Sequence, residues 1–407
     1  MKILIMNAGN TYNYGAMMMA ENFISYFNNK FSDIEFYIED CKQADLDRLK
    51  EATEIDAIYF DEKLSVASTI FNGKLGKIEF RAKEILRAKN AKYYDLVFIL
   101  GGDTFSEVYS KHIGVYLPLM RIKKINNVTK LYMVGQTIGP YTDKRKAYAA
   151  KVFSKVNLYS RDETSRQYLL NELGVEANDM RDLAFLDLTL QDQYKKDYKN
   201  VLKKYGLKEN EYITFVGTGL LNLYTPDTDV FKARVKEIIG LIKKEYSDKK
   251  IVWLSHVTTP EPHASDNTLL KIMNDTFGNY INDNMMVIDG AILPVEARTI
   301  LGNGYFTLTC RMHAAVSTFQ MGKPAICLSY SPKYEGVIAK GLNMSDLVIE
   351  CKGQEIWENQ IVDLVREKMK YVDKNYKKIC DKIKSNVNSC QKQVQGNLDE
   401  IIEEINN

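Results

Sequence analysis

Two series of short apolar runs, each alternating with longer stretches of helical period, constrain this chain more than any other feature. That alternation predicts βα units on a parallel sheet. The first series gives strands over Ile3–Met6, Ile34–Tyr37, Ile55–Phe60, Leu96–Leu100, Leu131–Val134 and Leu158–Ser160. A polar, Lys/Tyr-rich helix is expected over Gln193–Tyr205, and a second series follows it: Tyr212–Val216, Ile251–Ser255, Met285–Ile288, Tyr305–Thr309 and Ala325–Leu328. From Gln354 the apolar residues Trp357, Ile361, Leu364, Val365, Met369, Val372, Tyr376, Ile379 and Ile383 recur in steps of three and four, so the tail is expected to be helical. At 407 residues the chain exceeds one ordinary core. The expected organisation is α/β, with an N-terminal domain over 1–190, a C-terminal domain over 205–353 and a boundary near 188–205.

Charge and cysteine usage exclude several classes of function. With 55 Lys and Arg against 53 Asp and Glu, the formal charge is +2, so no global field draws the chain to nucleic acid or anionic lipid. The six cysteines form no C-x-x-C pair, which argues against a zinc ribbon, a redox pair or a disulfide-stapled domain. The apolar run after Lys2 stops at Asn7, too short for a signal-peptide core. No segment reaches the roughly 20 apolar residues of a membrane-spanning helix. A soluble, cytoplasmic protein is expected, and the basic stretch Lys74–Lys92 reads as a solvated face.

In open α/β sheets, ligands bind outside the carboxyl ends of strands, which makes the post-strand loops the candidates. The most informative is Thr309-Cys310-Arg311-Met312-His313-Ala314-Ala315, where a fixed cation and an imidazole stand two residues apart at a strand-to-helix turn. Helix N-termini favour anions. Lys333 follows the strand Ala325–Leu328 in the same way. In the first domain, Asn7–Gly15 carries Asn10 and Gly15 and lacks the G-x-G-x-x-G of dinucleotide folds. Gly101 and Gly102 could line a cleft with their amides, with Asp103 as a base or a helix cap. Gln136 could hydrogen-bond a sugar hydroxyl or tie down a turn.

Ser160 is placed to cap a helix. Arg161 sits at a strand end, where an exposed pair with Asp162 or Glu163 would contribute only about 0–1 kcal/mol, so it is read as ligand-facing. Of the four histidines, His256 follows a strand and faces the crevice, His263 lies just beyond it, and His112 has no partner pattern. No metal-ligand cluster and no nucleophile elbow is evident.

Together these residues resemble the polysaccharide pyruvyl transferase family. The resemblance rests on the Asn7–Gly15 loop, Gly101-Gly102-Asp103, Gly135-Gln136-Thr137-Ile138-Gly139-Pro140, Ser160-Arg161-Asp162, Arg311-Met312-His313, Gly322-Lys323-Pro324 and Ser329-Tyr330-Ser331-Pro332-Lys333. The family's Arg-Leu-His is Arg-Met-His here, a near volume-conserving change. Gly302-Asn303-Gly304 stands where the family often has an acidic residue.

The resemblance implies two Rossmann-like domains facing a cleft in a glycosyltransferase-B-like arrangement, with the C-terminal helix 354–407 packing back on the first domain. The first domain would be the acceptor side and the second the donor side. The implied reaction moves a pyruvyl group from phosphoenolpyruvate onto a pair of sugar hydroxyls of a cell-surface polysaccharide precursor, forming a ketal and releasing phosphate. No cofactor or metal is implied beyond the donor substrate.

Arg311, Arg161 and Lys333 would then grip the donor, His313 would act as acid and Asp103 as base. Asn10, Gly15, Gly101, Gly102, Gln136 and His256 would line the acceptor or cleft loops. The partners would be the donor and a sugar or lipid-linked oligosaccharide, with no nucleic acid and at most a peripheral place at the inner membrane. The alternatives are a nucleotide-sugar-dependent glycosyltransferase of the same fold and a non-catalytic carbohydrate-binding relative.

Overall fold

The strand Tyr212–Val216 is buried at all of its positions, as is Ala325–Ser329. Strands apolar on both faces belong in a parallel sheet covered by helices on each side. In the computed structural model, which describes residues 1–65, 70–71, 73–107, 116–260 and 265–407, the chain forms two such units.

The first unit comprises Met1–Thr11, Met19–Leu183 and Gln393–Asn407. Its seven-stranded sheet contains β1 (Lys2–Met6), β2 (Glu35–Ile38), β3 (Ile58–Phe60), β4 (Leu96–Phe105), β5 (Lys130–Ile138), β6 (Asn157–Ser160) and β7 (Asn178–Asp179), in the order β3-β2-β1-β4-β5-β6-β7. The second unit comprises Tyr12–Met18 and Ala184–Lys392. Its six strands are β8 (Tyr212–Val216), β9 (Lys250–Leu254), β10 (Met286–Ile288), β11 (Thr307–Thr309), β12 (Ala325–Ser329) and β13 (Val348–Glu350), in the order β10-β9-β8-β11-β12-β13. Adjacent strands are parallel throughout the two sheets. The strand order reverses between β1 and β4 in one sheet and between β8 and β11 in the other, the switch points at which open sheets place ligands.

Several expectations are corrected. β4 and β5 run on through the segments read as loops, with a register shift between Gly102 and Phe105, so Gly101, Gly102, Asp103 and Gln136 lie in strands. Gly102 has φ +121°, a conformation that an L side chain resists. Gln193–Tyr205 divides at Asp197 into the helices Gln191–Lys196 and Tyr198–Lys204. The tail is a short helix, Gln354–Asn359, followed by a helix of 46 residues, Ile361–Asn406. Its buried positions Ile361, Val365, Met369, Val372, Ile379, Ile383, Val387, Cys390, Val394, Leu398 and Ile401 keep the predicted steps. A short boundary strand at each sheet's edge, β7 and β13, has no counterpart in the sequence reading.

Among the described residues no disulfide joins any of the six cysteines. No described helix is long and apolar enough to cross a membrane. His112 and His263 lie outside the described residues.

Candidate active site

Immediately beyond β11, at the switch point of the second sheet, Arg311 takes the N-cap position of the helix Met312–Gln320 with φ −116° and ψ 119°. Thr309 fixes this turn: its Oγ1 accepts from the Arg311 N–H at 2.8 Å and donates to the Arg311 carbonyl at 2.9 Å. The guanidinium donates from Nε and Nη2 to Asp266 Oδ1, at 2.8 and 2.7 Å. Asp266 Oδ2 accepts the backbone N–H groups of His256 and Val257, each at 2.9 Å.

Burial pushes the Asp266 carboxyl up, with Arg311 and the two amides pulling it back. Burial also works against the Arg311 charge, and the facing carboxylate more than offsets that, so the guanidinium stays charged. The Arg311 side chain is 13% exposed while Asp266 has no exposed surface. An oriented cation thus shows one edge to solvent.

His313 lies in the first turn of the same helix and is half-buried. Against it packs a segment from the other end of the chain. A Cβ on Gly15 would stand 2.2 Å from His313 Nδ1 and 2.5 Å from its Cγ. Gly15 belongs to the helix Tyr14–Asn28, so the demand is for space and not for an unusual backbone angle. Tyr14, with no exposed surface, donates its hydroxyl to the Gly290 carbonyl at 3.1 Å and accepts the Ile292 N–H at 3.0 Å. Its own N–H donates to the His256 carbonyl at 3.2 Å, and the two rings stand 5.2 Å apart. An Asn13–Val257 bridge extends this docking. Of the N-terminal loop, Gly15 therefore belongs to the unit that carries Arg311 and His313, whereas exposed Asn10 belongs to the first unit.

Positive charge accumulates around this turn. Arg298, 1% exposed, donates from Nη1 to the Leu186 carbonyl and Gln191 Oε1, and from Nη2 to the Ala184 carbonyl and Met18 Sδ, at 2.7–3.2 Å. His256 is buried, and burial first, then the proximity of His313 and the charges of Arg311 and Arg298, push it well below the ordinary imidazole range. It is a neutral wall of the site at 1% exposure, which corrects its reading as a crevice-facing contact. Lys333 donates to the Tyr330 hydroxyl at 3.0 Å and lies 5.1 Å over that ring.

The remaining candidates lie elsewhere. Arg161 is 1% exposed and is paired with the fully buried Asp182 at 2.8 Å, and its Nε donates to Thr137 Oγ1 at 2.9 Å. That leaves it no surface for a ligand, so the ligand-facing reading is corrected. The cap of the following helix, Glu163–Leu173, is Asp162, which accepts the Ser165 N–H at 2.7 Å, and not Ser160. Gln136 has no exposed surface and donates to the Ile99 carbonyl at 2.8 Å. Gly101 is packed so closely that a Cβ would stand 2.4 Å from Met19 Sδ. Asp103 is half-buried within the β4 irregularity. Asn303 closes the helix Pro294–Asn303, donating to the Thr299 carbonyl at 2.8 Å.

Sequence reasoning missed Asp266, Arg298 and Tyr14. Asp266 sits 45 residues from its partner Arg311, and no local pattern links them. Among the described residues no group of three or more His, Cys, Asp or Glu side chains could hold a metal ion.

Gly15→Ala tests the geometry directly. Alanine is the better helix former by about 1 kcal/mol, so the fold should not suffer from the backbone change. The ring of His313 must move, and its imidazole resonances in a histidine-labelled sample should shift while the melting temperature stays within a few degrees. Unmoved resonances would show that the close approach is not needed.

Comparison with known proteins identifies the family and the fold. The polysaccharide pyruvyl transferase family model matches residues 13–332, and the chain belongs to that family. The amylovoran biosynthesis protein AmsJ of Erwinia amylovora is 23% identical over 299 residues, which are 67% of this chain and 64% of AmsJ, so the chain spans less than two thirds of that relative. Among solved structures, the UDP-GlcNAc 2-epimerase of Neisseria meningitidis bound to UDP-GlcNAc superposes with a TM-score of 0.60 at 12% identity, covering 99% of this chain and 100% of the other. Staphylococcus aureus MnaA with UDP gives 0.57 at 12% identity, covering 94% and 90%. At such identity the likeness is one of fold, and that fold is glycosyltransferase-B-like: two parallel-sheet α/β domains.

Proposed function

We propose that the chain transfers a pyruvyl group from phosphoenolpyruvate to a pair of hydroxyls on a sugar of a cell-surface polysaccharide precursor. The observation that carries this reading is the Asp266-oriented Arg311 at a helix N-terminus, with His313 in the first turn of that helix and Lys333 beyond the neighbouring strand β12. The donor's carboxylate and phosphate need at least two fixed cations. Arg311 supplies a planar fork and Lys333 a point charge. Arg298 adds to the potential from within, and the amides of the helix Met312–Gln320 add their dipole.

In the reaction, the donor's methylene carbon takes a proton from His313 as one sugar hydroxyl bonds to the adjacent carbon. The second hydroxyl then bonds to that carbon as the C–O bond to phosphate breaks. One hydroxyl proton replaces the one given up by His313 and the other leaves with phosphate, so the products are a ketal and inorganic phosphate. Asp103 is the proposed base that takes up the hydroxyl protons and passes them on to these acceptors, tested by loss of turnover in Asp103→Asn. Membership of the family supports transfer onto a polysaccharide, and with a phosphorylated three-carbon donor the proposal includes a cytoplasmic location.

Donor binding is testable without knowing the acceptor. Phosphoenolpyruvate at about 100-fold excess over its Kd should stabilise the wild type by roughly 2.7 kcal/mol. Arg311→Lys keeps a charge opposite Asp266 but loses the fork, so most of that shift should vanish. Lys333→Ala should reduce it. A wild type stabilised by UDP-sugars and not by phosphoenolpyruvate would overturn the reading.

A further inference from the structure

The helix Gly73–Arg87 is built inside out. Among the described residues, six of the thirteen large hydrophobic side chains left exposed fall between positions 70 and 86: Ile70, Phe71, Leu75, Ile78, Phe80 and Leu86, at 41–82% exposure. Leu75, Ile78, exposed Ala82 and Leu86 recur in steps of three and four, so they form one outward stripe. The opposite side carries Gly76, Lys77, Phe80 and Glu84. Gly76 and Ala88 are buried, and Glu84 is turned in towards Arg121 at 3.7 Å, its side chain 13% exposed. Ordinary surface helices show the reverse pattern.

The exposure is held in place by hydrogen bonds. Glu79 Oε2 accepts the backbone N–H groups of Ile70 and Phe71 at 2.8 and 3.0 Å, and its other oxygen pairs with Lys83 at 2.7 Å. Both glutamates of the helix are thereby committed to the protein; the exposed charges of the helix are Lys74 and Arg81 beside the stripe and Lys77 further round. An apolar stripe whose one neighbouring carboxylate, Glu79, is already paired and whose exposed charges are cations is the pattern of a helix that lies in the headgroup region of an anionic bilayer. A symmetric contact with a second copy would set these cations against one another, with no exposed carboxylate on the helix to meet them.

We propose that the Gly73–Arg87 helix is an interfacial docking element by which this chain binds an anionic lipid surface. The apolar stripe enters the acyl boundary, and Lys74, Lys77 and Arg81 contact the headgroups. The sequence reading of Lys74–Lys92 as a solvated face covers the charges and leaves the stripe unexplained.

The test is cosedimentation of the full chain with vesicles of phosphatidylcholine alone and of three parts phosphatidylcholine to one part phosphatidylglycerol. Binding to the mixed vesicles should exceed binding to the neutral ones at least tenfold, and should fall steeply in about 1 M salt, where the Debye length is roughly 3 Å. Leu75→Glu/Ile78→Glu and Lys77→Glu/Arg81→Glu should each lose at least tenfold. Removing two surface cations alone is expected to cost more than that, at roughly fivefold each before charge reversal. All four positions are exposed, so melting temperatures and the phosphoenolpyruvate-induced shift should be unchanged; donor binding is thus scored separately from membrane binding. Equal binding to both vesicle types, or full binding by Leu75→Glu/Ile78→Glu, would overturn the proposal. So would a concentration-dependent dimer in ultracentrifugation that the same variant dissolves, which would make the stripe a self-contact.

Discussion

In His313→Gln, turnover of phosphoenolpyruvate with a sugar acceptor is expected to fall by about 10²–10⁴-fold, the usual contribution of a positioned acid, while the donor Kd stays within roughly threefold. Glutamine fills similar space and can hydrogen-bond, but it has no proton to give at neutral pH. The split between turnover and affinity matters because Arg311 and the helix N-terminus, which are proposed to hold the donor, do not depend on the imidazole: Arg311 is fixed by Asp266 and Thr309. A variant that loses turnover and donor affinity together would assign His313 to binding. One that keeps full turnover would remove it from the chemistry. His256 does not substitute for it, since burial first, and then the neighbouring Arg311 and Arg298 charges, push that ring well below the ordinary imidazole range.

Asp182→Ala is expected to cost about 3–5 kcal/mol, read as an earlier transition in urea unfolding, because it strands a guanidinium that is 1% exposed. The reverse truncation, Arg161→Leu, leaves Asp182 without this charge partner and should cost a similar amount. The double variant Arg161→Leu/Asp182→Leu should lose much less than the sum, since replacing a whole buried pair by apolar groups of similar volume is often nearly neutral. The network around the pair amplifies the single losses. Thr137 accepts from Arg161 and donates to Asp162 at 2.8 Å, and Ser165 joins Asp162 to the Ile138 amide. If Arg161→Leu instead leaves stability within about 1 kcal/mol of wild type and removes the phosphoenolpyruvate shift, the ligand-facing reading of Arg161 is restored.

The two arginines show how far local reasoning reaches. Both stand just past a strand's carboxyl end, and the sequence reading treats them alike. Arg311 meets an aspartate yet keeps 13% of its side chain exposed beside an imidazole; Arg161 meets one and is sealed off. The partners, Asp266 and Asp182, lie 45 and 21 residues away. Nothing in the spacing of either loop carries that information. Gln136 and the Gly101–Gly102 pair fail for a related reason: polar and glycine residues after an apolar run look like a loop, but β4 and β5 continue through them around an irregularity that Gly102's positive φ permits.

Periodicity, by contrast, is a local property. The sequence alone determined the parallel α/β class, eleven of the strands, the long helical tail and the strand-to-helix turn bearing Arg311 and His313, because alternation and three-to-four spacing are set by residues within a turn or two of each other. Only the tertiary structure decided that Gly15 gives up its side chain to His313, that His256 is walled in neutral, that Arg161 is structural, and that the apolar side of Gly73–Arg87 faces out. Each of these depends on which distant element supplies the neighbour. Burial and pairing across tens of residues fix a side chain's charge and access, and no local pattern encodes either.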